Sequence, residues 1–444
     1  MGSVSAAQEL KIVKRIIQNK IVFDNLNIGI VLYTPQLPAT PQRLAIMVEP
    51  LSHALRIAPT RDELSRQEFV SSLRSHILVD MAASMRRHYR ERVEPAFLRD
   101  HGRRPASGEE VHDAMRDEDY FRFYSSVRYN TQEMVFRSVI PVVDRHLDPL
   151  ADRARDIREQ ASATGGSLRL DPSFEVPKNV ADIDVHLSPG SYHSEYAQDD
   201  VSAGAIYDNS INVFAFNQMG RDVDDIGWTF ANFVRQRFPQ LDVRRILDCG
   251  CTVGHNTVPW AKTFPEAEVH AIDVAPGTLR YASARASSMG AAIHFAQMSA
   301  TQLDYADESF DVVFSSMFLH ELPLKDIRAY LREAHRVLRP GGLLITMELP
   351  PNARMAPFDS FYLDWDCYYN KEPFYKPFRD QDSAALLAGA GFSRENYFET
   401  TLPRYTYTRQ EEFAAAVRGD VLQFNENTGR LSEGMRWYGF GARK

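Results

Sequence analysis

The sequence has little cysteine: Cys249, Cys251 and Cys367 are the 3 in 444 residues. An odd, low count supplies no disulfide framework and fits a reducing, cytoplasmic setting. Cys249 and Cys251 flank a single residue, whereas common zinc pairs flank two. No apolar run approaches the length of about 18 residues that a membrane span needs. The start, Met1-Gly2-Ser3-Val4-Ser5-Ala6, lacks a secretory apolar region, and Ala6 stands where an N-myristoylation signal has Ser or Thr. Positive charge is also short: 51 Lys and Arg face 59 Asp and Glu, a net charge of -8. That balance argues against nucleic acid as a partner. Between residues 51 and 160 there is no lysine at all, and the many arginines are nearly matched by carboxylates. Such mixed charge reads as a solvated helical surface laced with ion pairs. No internal repeat is visible.

What is there belongs to an ordinary folded protein. Hydrophobic residues make up 44% and charged residues 25%, which excludes a disordered or fibrous chain. The length suggests two or three domains. Residues 1–165 read as mostly helical, a domain that caps a substrate pocket or mediates a homodimer. An ambiguous apolar stretch runs from Ile12 to Tyr33. Phe69, Leu73, Ile77, Met81 and Met85 then recur in steps of four along one helix face. Pro95 is expected to interrupt or end that helix. The small residues and paired glycines of Ala161 to Ser167 make the best linker. Residues 166–235 read as a polar, aromatic-rich connector that serves as a lid. Residues 236–444 alternate strand and helix, with an aromatic-rich insertion at about 351–379.

In that last region, strands are expected at 243–248, 268–273, 292–298, 310–315 and 343–348. The helices between them imply a parallel, doubly wound α/β sheet. Its ligand would sit at the carboxyl ends of the strands. Asp248-Cys249-Gly250-Cys251-Thr252-Val253-Gly254 is a glycine turn after the first strand. Asp273 ends the second strand. Ser309-Phe310-Asp311-Val312-Val313, Leu319-His320-Glu321-Leu322 and Arg336-Val337-Leu338-Arg339-Pro340-Gly341-Gly342 follow in order. These five motifs resemble those of class I S-adenosylmethionine-dependent methyltransferases, over roughly residues 240 to 400. A dinucleotide oxidoreductase is the rival for a glycine turn of this kind. Its Gly-x-Gly-x-x-Gly pattern is not met, because Thr252 stands where a glycine is needed.

The resemblance implies a Rossmann-like fold, S-adenosyl-L-methionine as cofactor, and methyl transfer to oxygen or nitrogen of a small organic molecule. It implies that Asp248, Gly250, Gly254, Asp273, Met298, Ser299 and Phe318 contact the cofactor. Glycines let the backbone approach a ligand, and a carboxylate such as Asp273 accepts from ribose hydroxyls. The sequence departs from the pattern at Thr252, where a glycine is usual, and at Ser299, where an Asp that bonds adenine is common. His320 is the candidate base, and Glu348 the candidate for orienting the acceptor. Tyr192, His193, Tyr196 and Tyr207 of the connector, with Trp365, Tyr368 and Tyr369 of the insertion, are the expected acceptor wall, since such pockets are mostly apolar with a few placed polar groups. His186, His193 and Glu195 follow no ligand spacing, so no metal is expected. A protein acceptor and a catalytically silent scaffold are the alternatives.

Overall fold

The computed structural model describes residues 52–161, 165–419, 422, 424, 428–431 and 434–444. The stretch from Ile12 to Tyr33 and residues 162–164 of the Ala161–Ser167 linker lie outside them.

The centre is an eight-stranded sheet in the order β1-β4-β3-β2-β5-β6-β8-β7. Its strands are β1 (Ser167–Arg169), β2 (Arg245–Cys249), β3 (Glu268–Asp273), β4 (Ile293–Gln297), β5 (Phe310–Ser316), β6 (Leu338–Glu348), β7 (Tyr397–Pro403) and β8 (Arg436–Arg443). Strands β1 to β6 pair in parallel, while β8 runs antiparallel to both β6 and β7. The α/β expectation is met for the five strands the sequence marks. Arg339-Pro340-Gly341-Gly342 reads in the sequence as the stop between a helix ending at Leu338 and the strand at 343–348, but the structure does not place it between them. It lies inside β6, whose register with β5 shifts there between Phe310 and Val312. The shift absorbs a proline that an unbroken ladder would not tolerate.

The helical half differs from expectation in two ways. One near-continuous helix covers 61–101, with π-helical turns at His76–Met81 and Tyr89–Val93. Pro95 does not end it; it sits in the first turn of Glu94–His101, after the second wide turn. The steps of four have the same origin. An α-helix turns every 3.6 residues, so a four-residue repeat drifts off one face unless wider turns restore it. Phe69 is nonetheless 45% exposed, while Ile77 and Met85 are buried.

The second difference concerns the domain boundary. The described residues all fall in one compact unit, with no break near 165. Val135, Val139, Val143, Leu150 and Ala154 of the helices Asp119–Arg145 and Leu147–Ala161 share one apolar core with Val201, Ala205, Val253, Tyr281 and Ala284. The N-terminal helices bury their apolar faces against the α/β half as well as against each other. The connector is structural too, since it supplies β1 and the helices Ser202–Phe214 and Asp225–Arg237.

A buried polar knot fastens the two halves. Asp208, with no exposed surface, accepts from His255 Nε2 at 2.5 Å and from the Tyr281 hydroxyl at 2.7 Å, and His53 Nε2 lies 2.8 Å away. Burial alone would raise its pKa, but the two imidazoles override this and hold it well below the usual carboxylate range. Removing one partner from a buried charge network typically costs about 3–5 kcal/mol. Asp208→Asn is therefore expected to lower the unfolding free energy by about 3 kcal/mol or more in a urea titration. A loss under about 1 kcal/mol would mean that the knot does not fasten the fold.

Candidate active site

A cavity of ≈ 300 Å³ opens beyond the carboxyl ends of β2, β3 and β5. Its floor is the glycine turn. Gly250 has φ +74°, and a Cβ there would fall 2.3 Å from the Phe318 ring, so only glycine lets Phe318 close over the turn. Thr252 also has positive φ, +45°. That is costly for a β-branched residue and explains why glycine is usual at this position. Asp273 holds the strained turn in place. Its carboxylate accepts from the backbone N–H of Thr252 at 2.9 Å and of Ala275 at 3.0 Å. Burial raises its pKa against the lowering effect of those bonds. Asp248 is buried deeper, and the Thr257 hydroxyl donates to it at 2.5 Å. Burial pushes its pKa up to about 7, with nearby Asp273 adding to the rise.

Asp248, Gly250, Asp273 and Phe318 thus line the cavity together. The other three expected cofactor residues do not. Gly254, φ +73°, shapes the entry to the following helix. Met298 is buried in the core on one side of the sheet. The Ser299 hydroxyl is taken by Thr301, with oxygens 2.8 Å apart.

On the same cavity the loop after β5 presents His320. Its Nδ1 lies 2.6 Å from Glu348, whose other oxygen accepts from the backbone N–H of Phe318 and Leu319 at 2.8 and 2.6 Å. Glu348 has no exposed surface and does not reach the cavity. It is a positioning residue that ties the loop to β6, not the substrate-orienting group expected from its place at a strand end. Burial lowers the His320 pKa, but Glu348 and two further carboxylates outweigh this and push it up to about 9.

Tyr192 and Tyr207 line the cavity, their rings meeting edge to face at 4.8 Å. Tyr207 also stacks on His255. His193 is off the cavity, and Tyr196 is 70% exposed. The insertion helix Pro357–Tyr369 does line the cavity, but through a different face. Tyr362, Leu363, Asp366, Cys367 and Asn370 face inward. At 100° per residue these five fit within an arc of about 140°. Trp365, Tyr368 and Tyr369 lie outside that arc. Trp365 is core and donates to Ser125 at 3.0 Å, Tyr368 is 77% exposed, and Tyr369 packs on Tyr129 and Trp365.

Three groups went unread in the sequence. Arg128, almost fully buried, forks onto Asp366 with bonds of 2.6 and 3.1 Å, joining the helix Asp119–Arg145 to the insertion across the cavity. Nothing in the pattern of that arginine-rich helix singles it out. Glu321 and Glu372 meet His186 inside the cavity. Glu321 follows His320 directly, the one signal that pointed to it. Of the three residues weighed for a metal in the sequence, only His186 belongs to this group.

Fold and site together define the class: a Rossmann-like sheet with a glycine turn and acidic strand ends at a ligand cavity. More particularly, residues 246–342 match the family model of a methyltransferase domain, and this part of the chain is a class I S-adenosylmethionine-dependent methyltransferase domain. The chain is 38% identical over 125 residues to malonyl-[acyl-carrier protein] O-methyltransferase of Hahella chejuensis, a match covering 28% of this chain and 42% of that protein. It is 31% identical over 128 residues to demethylmenaquinone methyltransferase of Thermus thermophilus, covering 29% and 56%. It therefore spans only about half the length of these curated relatives. Among solved structures it is similar to an amino pentose methyltransferase from Micromonospora echinaspora, at 22% identity and a TM-score of 0.28, covering 37% of this chain and 61% of that one. No helix among the described residues is long and apolar enough to cross a membrane.

Proposed function

We propose that the protein transfers a methyl group from S-adenosylmethionine to an oxygen or nitrogen of a small organic acceptor, in a biosynthetic, cytoplasmic setting. One observation carries this reading: a single cavity is lined at one pole by the glycine turn and Asp273, and at the other by helices foreign to the family motifs. The residues at the first pole fit the cofactor. Asp273 presents a carboxylate for the ribose hydroxyls, Gly250 removes a side chain from the approach, and Asp248 faces the position of a cationic amino-acid group. Displacement at a sulfonium needs alignment and exclusion of water more than covalent help, and alignment is worth about 7–11 kcal/mol. A wall built from Tyr192, Tyr207, Tyr362 and Phe374 suits an enclosed organic acceptor better than a polypeptide.

The test is transfer of a radioactive methyl group from S-adenosylmethionine in lysate, resolved by mass. Label is expected only in the low-mass fraction. Label in polypeptide favours the protein-acceptor alternative, and binding of cofactor with no label anywhere favours a silent scaffold.

A further inference from the structure

Beside the expected acceptor position, four side chains of the cavity converge at ion-pair distances that are long for hydrogen bonds. His186 Nε2 lies 3.4 Å from Glu321 and 3.3 Å from Glu372, and one ligand atom from each of the three falls within 4.8 Å of the others. His320 Nε2 is 3.7 Å from Glu321. These separations exceed the usual N–H···O range of 2.7–3.2 Å. They match the spacing of about 3.3 Å between two ligands bonded at ~2.0–2.1 Å to a shared tetrahedral ion.

We propose that His186, Glu321 and Glu372, with His320 within reach, form a site for one divalent first-row metal ion at the acceptor pole of the cavity.

Two further observations support it. Both imidazoles have their remote nitrogen engaged. His186 Nδ1 meets the Tyr192 hydroxyl at 2.8 Å, and His320 Nδ1 meets Glu348 at 2.6 Å. Metal-ligating histidines are oriented in this way, by a partner on the nitrogen that does not bind the ion. The donor set also suits a metal ion. The Glu372 side chain is 4% exposed, yet among the described residues the ion-pair partners of Glu321 and Glu372 are imidazoles only, with no lysine or arginine. Asp366, by contrast, has Arg128. Two carboxylates with one or two imidazoles suit Zn²⁺ or Mn²⁺. The site's role in holding an acceptor oxygen rests on the proposed methyl transfer; its occupancy by an ion does not.

The full-length protein, stripped with a chelator and dialysed against Zn²⁺ or Mn²⁺, is expected to retain about one ion by elemental analysis. Calorimetric affinity should fall at least ten-fold in His186→Ala and in the isosteric Glu372→Gln, and stay unchanged in His193→Ala, whose residue lies off the cavity. Circular dichroism shows whether each variant is folded. Retention of no ion, or equal affinity in folded Glu372→Gln, would overturn the site. An ammonium group of the acceptor is the competing occupant, and it would leave the stripped protein without metal affinity. A protein that transfers methyl but retains no ion overturns this inference alone. One that retains the ion but binds no S-adenosylmethionine overturns the functional reading alone.

Discussion

Asp273→Ala is expected to weaken binding of S-adenosylmethionine and S-adenosylhomocysteine at least ten-fold. The carboxylate stands at the end of β3 on the cavity, and each of its oxygens already accepts one backbone N–H. Each oxygen keeps a second lone pair for a ribose hydroxyl. A hydrogen bond to a charged group contributes about 1.5–3 kcal/mol, which is ten-fold to more than a hundred-fold in affinity. The substitution also frees the backbone N–H of Thr252, a residue held at φ +45°. Asp273→Asn is the companion variant, because it keeps an acceptor for that turn while removing the charge. Titration calorimetry against both ligands reads the effect, with thermal melting to confirm that each variant is folded. Undiminished affinity in Asp273→Ala would sink the ribose assignment.

Cofactor affinity should rise with pH up to about 7 and level off above it. Burial raises the Asp248 pKa from 3.8 to about 7, so the ligand-free fold holds a proton there at neutrality about half the time. A cationic ligand group beside Asp248 favours the ionised form, so binding expels that proton. Below pH 7 the dissociation constant should therefore grow by up to ten-fold per pH unit, since one unit is 1.36 kcal/mol. Titrations at pH 6, 7 and 8 in buffers of different ionisation enthalpy read both the slope and the released proton. In Asp248→Asn the slope should vanish. A flat dependence in the unaltered protein would place the ammonium elsewhere. The sign for stability is the opposite. A carboxyl whose pKa is raised in the fold contributes stability that is fully present below 3.8 and lost as pH rises through about 7, on the order of 4 kcal/mol. The cofactor would restore part of it, so its protection against unfolding should be larger at pH 8 than at pH 6.

Both predictions rest on residues legible in the sequence, and the reason is local. Strands β2 to β6 announce themselves by apolar runs, because parallel strands are covered on both faces. The glycine turn and Asp273 follow from backbone geometry over a few residues. The insertion is the contrasting case. Its aromatic character is plain, but residue type alone points to Trp365, Tyr368 and Tyr369, and the face that meets the cavity is fixed by Arg128 holding Asp366 from a helix about 240 residues away. Met298 and Ser299 lie off the cavity for a similar reason, because spacing gives a position along the chain but not the side to which it turns.

By itself, then, the sequence determined the parallel core, the strained turn and the acidic residue at the end of β3, since each depends on neighbours in the chain. Only the tertiary structure decided the rest. Strands β1, β7 and β8 join through long-range pairing, the described N-terminal helices share their apolar cores with the α/β half, and Glu348 was turned inward to hold a loop. His186, Glu321 and Glu372 come from three separate segments. Their meeting in one cavity is a product of packing, which no spacing along a single chain encodes.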